Sequence, residues 1–146
     1  MNAIQLLKSD HRKVQELFDE LDQSDEATVK RRTFMLIKKE LDLHTHLEDT
    51  FVYPLFSETE GMVDMIEDFY DDHQELRTLL NLDGIRTDEE LDDRIDELLE
   101  VFQDHMTVEE AELFPRMQKI LQHDKLNELG VRLIQERTAP SITRAA

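Results

Sequence analysis

One pattern occurs twice in this chain, and it leaves few folds open. His44 to Pro54 reads HTHLEDTFVYP, and His105 to Pro115, 61 positions later, reads HMTVEEAELFP. Each copy is H-x3-E, an acid, then aromatic-Pro, so His44, Glu48, Asp49, Tyr53 and Pro54 answer His105, Glu109, Glu110, Phe114 and Pro115. A second pair falls at nearly the same offset, with DHRKVQELF at Asp10 to Phe18 answering DHQELRTLL at Asp72 to Leu80. Four of the six histidines are therefore paired. A unit of one His followed about 32 residues later by H-x3-E is present twice. Self-similarity on this scale marks duplicated supersecondary units that bury their faces together. The four histidines and two glutamates are thus expected to converge on one pseudo-twofold point.

The residues around the repeat make the units helical. There are only 3 Gly and 3 Pro among 146 residues, Glu, Asp, Leu and Lys dominate, and no stretch alternates apolar with polar for long. That composition predicts an all-α protein. Residues 1–138 are expected to form one domain, a size that a single core can support, with 139–146 a loose tail. The formal charge of -18 opposes phosphate backbones and anionic lipid surfaces, so neither nucleic acid nor membrane is an expected partner. The cationic run Lys30, Arg31, Arg32, Lys38 and Lys39 reads as a solvated helix face. Without cysteine there is no disulfide, iron–sulfur cluster or thiol chemistry. The opening MNAIQLLKSDH has too short an apolar run for a signal peptide or anchor, and a cytoplasmic location is expected.

Apolar positions with steps of three and four place each histidine inside a buried stripe. The first helix carries Ile4, Leu7, His11, Val14, Phe18 and Leu21, with Asn2 as N-cap and Ser24 or Asp25 capping the next. The second carries Phe34, Ile37, Leu41, His44, Glu48, Phe51 and Leu55; Pro54 should kink its last turn, as Pro115 should in the fourth. The third carries Met62, Ile66, Phe69, His73, Leu76 and Leu80. The fourth starts at a Thr87 or Asp88 cap and carries Leu91, Ile95, Leu98, Phe102, His105, Glu109 and Leu113. After Gln122 a short fifth helix, Lys125 to Arg137, packs on the rest. Short connections imply an up-down-up-down four-helix bundle with a short C-terminal helix.

Residues four apart stand one above the other on a helix, so H-x3-E aims an imidazole and a carboxylate at the same interior point. Two such helices, with one further His from each of the others, supply four nitrogen and two carboxylate ligands. That set suits two transition-metal ions, each with two imidazoles, bridged by the glutamates. Two unpaired buried glutamates would cost several kcal/mol each, and two cations remove that cost. Imidazole with carboxylate accommodates Fe, Mn, Zn or Co and disfavours Cu(I). His46 points about 160° away from His44, and His123 falls at a helix end where a cation suits the dipole. Asp10 and Asp72 read as surface or capping charges. Arg77 either pairs with a carboxylate near the site or makes a solvated salt bridge. Tyr53 and Phe114 read as aromatic packing, with a redox or hydrogen-bonding role as the alternative for Tyr53.

These residues resemble the hemerythrin-like, or HHE cation-binding, domain family. The resemblance spans most of the chain and rests on LLKSDHRKVQELF, HTHLEDTFVYP, the isolated His73, HMTVEEAELFP and NELG near the end. It implies a hemerythrin-like bundle holding two Fe ions with a bridging oxo or hydroxo group, and His11, His44, Glu48, His73, His105 and Glu109 as ligands. The oxygen-carrying members have a second histidine four residues after the third-helix ligand, where this chain has Arg77, and an aspartate five after the last histidine, where it has Glu110. Glu110 is thus open to a swapped or supporting role. The missing histidine argues against simple reversible oxygen carriage. The expected function is a non-haem di-iron protein that binds or reacts with O2, NO or peroxide in sensing, scavenging or detoxification. The alternatives are iron storage, delivery or repair of iron centres, which call for an iron-accepting or electron-transfer partner, and a metal-free acidic interaction module.

Overall fold

The structure, a computed structural model, describes residues 1–138 and is all-α there, with no strands. The expected tail, 139–146, lies outside the described residues. Among the described residues there are five α-helices: α1 (Ala3–Asp22), α2 (Ala27–Leu47), α3 (Val63–Leu80), α4 (Asp88–Val108) and α5 (Phe114–Arg137). Helix α1 opens on a reciprocal capping box, with Asn2 accepting from the Gln5 N–H and Gln5 accepting from the Asn2 N–H. Thr87 caps α4 by accepting from the Glu90 N–H. The expected cap of α2 is corrected: Ser24 accepts from the Glu26 N–H, and Glu26, the residue at the cap position, makes no side-chain cap bond.

The topology follows from where each helix changes character. Two apolar clusters flank a polar layer. One is built on Leu7, Leu47, Tyr53, Phe56, Phe69 and Phe114, the other on Phe18, Phe34, Leu41, Leu76, Leu98 and Phe102. Along α1 the chain passes from the first cluster through Asp10 and His11 to the second; α2 runs the opposite way, α3 as α1, and α4 as α2. That alternation is the up-down-up-down bundle. Gly84, at φ 88°, supports the tight α3–α4 connection in a conformation open chiefly to glycine.

At both prolines the helix changes pitch, where a kink is expected from the sequence. Helix α2 passes into a π-helical turn at Glu48–Val52 and then a 3-10 turn at Tyr53–Leu55; α4 passes into a π-helical turn at Glu109–Leu113 and on into α5. The Tyr53 N–H donates to the Glu48 carbonyl and the Phe114 N–H to the Glu109 carbonyl, each spanning five residues. A proline one position later has no N–H to donate, and widening the preceding turn absorbs the mismatch. The consequence is local and specific: the aromatic five residues after each glutamate is brought round to the glutamate's own face. Helix α5 loses helical dihedrals at Gln122 (φ 58°, ψ -178°), where the sequence places the start of a separate C-terminal helix. Beyond that break Gly130 passes so close to the N-terminus that a Cβ would meet the Met1 carbonyl oxygen at 2.7 Å.

Candidate metal centre

His11, His44, Glu48, His73, His105 and Glu109 all lie in the polar layer and are all buried. They form two overlapping groups, His11/His44/Glu48/Glu109 and His73/His105/Glu48/Glu109, whose donor atoms lie within 4.8 Å of one another. Both glutamates belong to both groups. His44 Nε2 stands 3.0 Å and His73 Nε2 3.3 Å from Glu48 Oε1. On the other side, His11 Nε2 is 3.1 Å from Glu109 Oε1 and His105 Nε2 is 3.3 Å from Glu109 Oε2. The paired imidazoles keep the same spacing in each group, 4.9 Å between ring centroids.

Every imidazole is held from behind by a carboxylate. The Nδ1–H of His44 donates to Asp10 (2.9 Å), that of His11 to Glu110 (2.9 Å), that of His73 to Asp49 (2.7 Å) and that of His105 to Asp72 (2.8 Å). An ionised carboxylate only accepts, so Nδ1 carries a proton and Nε2 is the atom turned inward, its lone pair available to a metal once any proton on it has left. The pseudo-twofold is exact in kind, since Asp10 and Asp72 each serve the H-x3-E histidine of their own repeat, while Asp49 and Glu110 each serve the lone histidine of the other repeat. This corrects the reading of Asp10 and Asp72 as surface or capping charges. The signal was available, because each directly precedes a paired histidine in both copies, but only packing shows which ring each one holds. Asp49 carried the same signal through its equivalence to Glu110. Arg137 carried none, lying 127 residues from its partner.

Two arginines stand behind this ring of acids. Arg137 clamps Asp10 with two bonds, at 2.8 and 2.7 Å, and Arg77 pairs with Asp49, which settles the alternatives left open for Arg77. Tyr53 turns its hydroxyl into the centre, donating to Glu109 Oε2 and standing 3.2 Å from His73 Nε2 and 3.3 Å from His105 Nε2. Its equivalent, Phe114, lies with its ring parallel to His11, 6.0 Å away. His46 is half-buried away from the cluster, and exposed His123 accepts a bond from Asn127.

The electrostatics are those of a cage built for cations. Burial raises the cost of charge on His44 and His105, yet Glu48 and Asp10 hold the first well above the usual imidazole range, and Glu109 and Asp72 push the second up to about 10. His73 is raised in the same way, its burial outweighed by Asp49 and Glu48. Glu109 is held well below the carboxylate range despite full burial, chiefly by His105. Glu48 Oε2, Glu109 Oε1 and the Nε2 atoms of His11 and His44 are buried without a hydrogen-bond partner. With the imidazoles neutral, as metal ligands must be, six carboxylates against two arginines leave four negative charges, the charge that two divalent cations balance. Orphaned inward donors and matching charge are what a two-ion site requires.

Comparison with known proteins agrees with the chemistry. The sequence profile of the Hemerythrin HHE cation binding domain matches residues 2–117 and again residues 64–138. The second match starts where the second repeat does, with the offset that separates Asp10 from Asp72. A protein named DNA nickase from Nostoc is 31% identical over 127 residues, covering 86% of this chain but 36% of that protein. No solved structure matches the chain.

Proposed function

Because the chain belongs to the hemerythrin HHE cation-binding domain family, we propose that it is a cytoplasmic non-haem di-iron protein that binds or reacts with O2, NO or peroxide, in sensing, scavenging or detoxification. The observation that carries this reading is the pair of buried ligand groups sharing both glutamates, with unsatisfied donor atoms turned inward. His11 and His44 would hold one ion, His73 and His105 the other, and Glu48 and Glu109 both. Iron held by these residues would supply one-electron chemistry and open coordination positions for a small molecule.

The chain's own residues define the rest. The four carboxylates on Nδ1 fix the imidazoles, and Phe102, Phe69 and Phe114 set their faces or edges against the rings of His11 and His105. The Tyr53 hydroxyl is pushed well up by burial and by Glu109 and Glu48, so it keeps its proton at neutral pH and offers one O–H donor beside the His73/His105 half. A small molecule bound in that half would meet a hydrogen-bond donor; in the other half it would meet the Phe114 ring.

A DNA-directed role taken from the name of the Nostoc relative finds no support in the charge of -18, which opposes a phosphate backbone. Iron storage or delivery is the second reading. It is favoured by an acidic cleft of about 890 Å³ whose wall includes Asp68, Asp72, Glu97, Asp104 and His105. Such a cleft suits cation traffic and an iron-accepting partner.

Metal analysis of protein reconstituted with Fe(II) tests the proposal: about two irons per chain are expected from four imidazoles and two shared carboxylates. A content near zero overturns it, and two Mn or Zn in protein from iron-replete cells overturns the redox part alone. Rapid change of the absorption spectrum with peroxide or NO supports the leading reading, whereas release of the iron to a chelator at neutral pH without such reactivity supports storage.

A further inference from the structure

The six ligands divide a second way, by what stands behind them. His44 and His73 both face Glu48, and the carboxylates that hold them, Asp10 and Asp49, are each paired with an arginine. His11 and His105 both face Glu109, and among the described residues no basic side chain pairs with Glu110 or Asp72. Exposure follows the same line: the side chains of Asp10 and Asp49 are 9% and 21% exposed, those of Glu110 and Asp72 35% and 38%. Each ion site would therefore have one histidine on an arginine-backed carboxylate and one on a solvated carboxylate.

Arg137 reaches Asp10 because of the C-terminal helix's register. Gly130 lies against residues 1–3 and Arg137 against Asp10, so the last two turns of α5 run parallel to the first two of α1. The close approach at Gly130, which no side chain would allow, sets that register. Arg137 then meets Asp10 with a two-pronged contact that only a planar guanidinium makes.

Resting on the two-ion reading above, we propose that Arg137 and Arg77 are positioning residues, each acting through its carboxylate on a single ion site: Arg137 through Asp10 and His44, Arg77 through Asp49 and His73. The paired guanidinium fixes the carboxylate, the carboxylate fixes the imidazole, and the Nε2 lone pair is held on Glu48's side of the centre before any ion arrives. Groups behind a metal-bound histidine typically change affinity by 10–100-fold. One step further out, about tenfold at one site is expected.

Titration of the metal-free full chain with Co(II), followed by visible absorption in competition with a chelator, reads the two affinities separately. Arg137→Met and Arg77→Met are each expected to weaken one site about tenfold and leave the other unchanged, and the Lys variants, which keep the charge but lose the fork, should fall between. In the background of Asp10→Asn, Arg137→Met should have almost no further effect, because residues acting through one another are not additive. Undiminished loss in that background, equal weakening of both sites, or wild-type affinities in both Met variants overturns the proposal. Should a Met variant fail to fold, judged by circular dichroism, the Lys variant and Asp10→Asn still decide it. Failure of the wild-type chain to take up two Co(II) breaks the two-ion reading itself, a result distinct from any of these.

Discussion

Around His11 and His44 the cage is closed by a phenylalanine; around His73 and His105 it is closed by a tyrosine. Phe114 and Tyr53 occupy the same place in the two copies of the repeat, and each is swung onto its glutamate's face by the same π-helical turn. Ring spacing, shared glutamates and a carboxylate on every Nδ1 are duplicated in kind, whereas among the described residues the arginines stand behind Asp10 and Asp49 of the first copy and not behind their equivalents Asp72 and Glu110. The comparison teaches that the repeat supplies two like groups of buried ligands, and that the phenol oxygen of Tyr53 is one feature that tells them apart. A centre that only stored ions would have no use for that oxygen, whereas one that handles a polar small molecule would.

The largest expected effect comes from removing what the halves share. Glu48→Ala or Glu109→Ala takes a ligand and a charge from both ions, so metal content should fall toward zero, while His11→Ala, which belongs to one half, should leave about one ion. An emptied site of this kind gives up several kcal/mol of binding-linked stability. The melting temperature of the glutamate variants should therefore approach that of the metal-free protein. Full metal retention in both glutamate variants would transfer the bridging role to Asp49 or Glu110.

Protonation gives the next effect. His105, at about 10 in the folded chain against an ordinary 6.5, stabilises the metal-free fold fully below about pH 6.5, and that contribution is lost as pH rises toward 10. His44 and His73 shift in the same direction. Glu109, Asp10 and Asp49 are held below their ordinary values of 4.5 and 3.8, so their contribution is present above that range and is lost on acidification. Metal-free protein should thus be most stable between about pH 4.5 and 6.5 and weaken steadily above. Loaded protein should hold its stability well past pH 7, since the ions do what the protons did. Urea midpoints against pH, with and without metal, check this; a flat metal-free curve from pH 6.5 to 10 would contradict it.

How much of this was legible in the sequence depends on the distance over which each interaction acts. The bundle, its caps at Asn2 and Thr87 and the break after Gln122 follow from periodicity and local backbone chemistry, which act within a few residues. The six inward residues follow from duplication, because two copies of H-x3-E can converge only about an axis. The outer carboxylates follow half-way: Asp10 and Asp72 were visible as a repeated pair, but they hold His44 and His105 across a helix interface that no local pattern encodes. The π-helical turns were legible only as trouble at Pro54 and Pro115; that the widened turns bring Tyr53 onto the inward carboxylates and Phe114 against His11 shows only in the packed bundle. Arg137 meets Asp10 through the register of α5 on α1, a tertiary fact.

A smaller change would erase the asymmetry directly. Tyr53→Phe makes the two halves alike and leaves Glu109 without the hydroxyl that now donates to it, at a cost of about 1–3 kcal/mol in the metal-free protein. Two ions should still bind, and reaction with peroxide or NO should slow because the donor is gone. Loss of one ion instead would mean that the phenol oxygen is itself a ligand, and stopped-flow rates measured beside metal content separate the two outcomes.

The smallest effects test whether histidine as such matters. His46→Ala and His123→Ala should each keep two ions and change stability by less than about 0.5 kcal/mol, the usual range for surface positions without a special contact. His46 lies two residues from His44, and at about 100° per residue its ring leaves the helix on nearly the opposite side. No rotamer brings it back to the centre. His123 sits just past the Gln122 break, exposed, with one bond to Asn127, and a water can replace that bond at little cost. Were either substitution to lower the metal content, the pairing rule that picks four histidines out of six would fail. The pseudo-twofold would then no longer be the basis of the site.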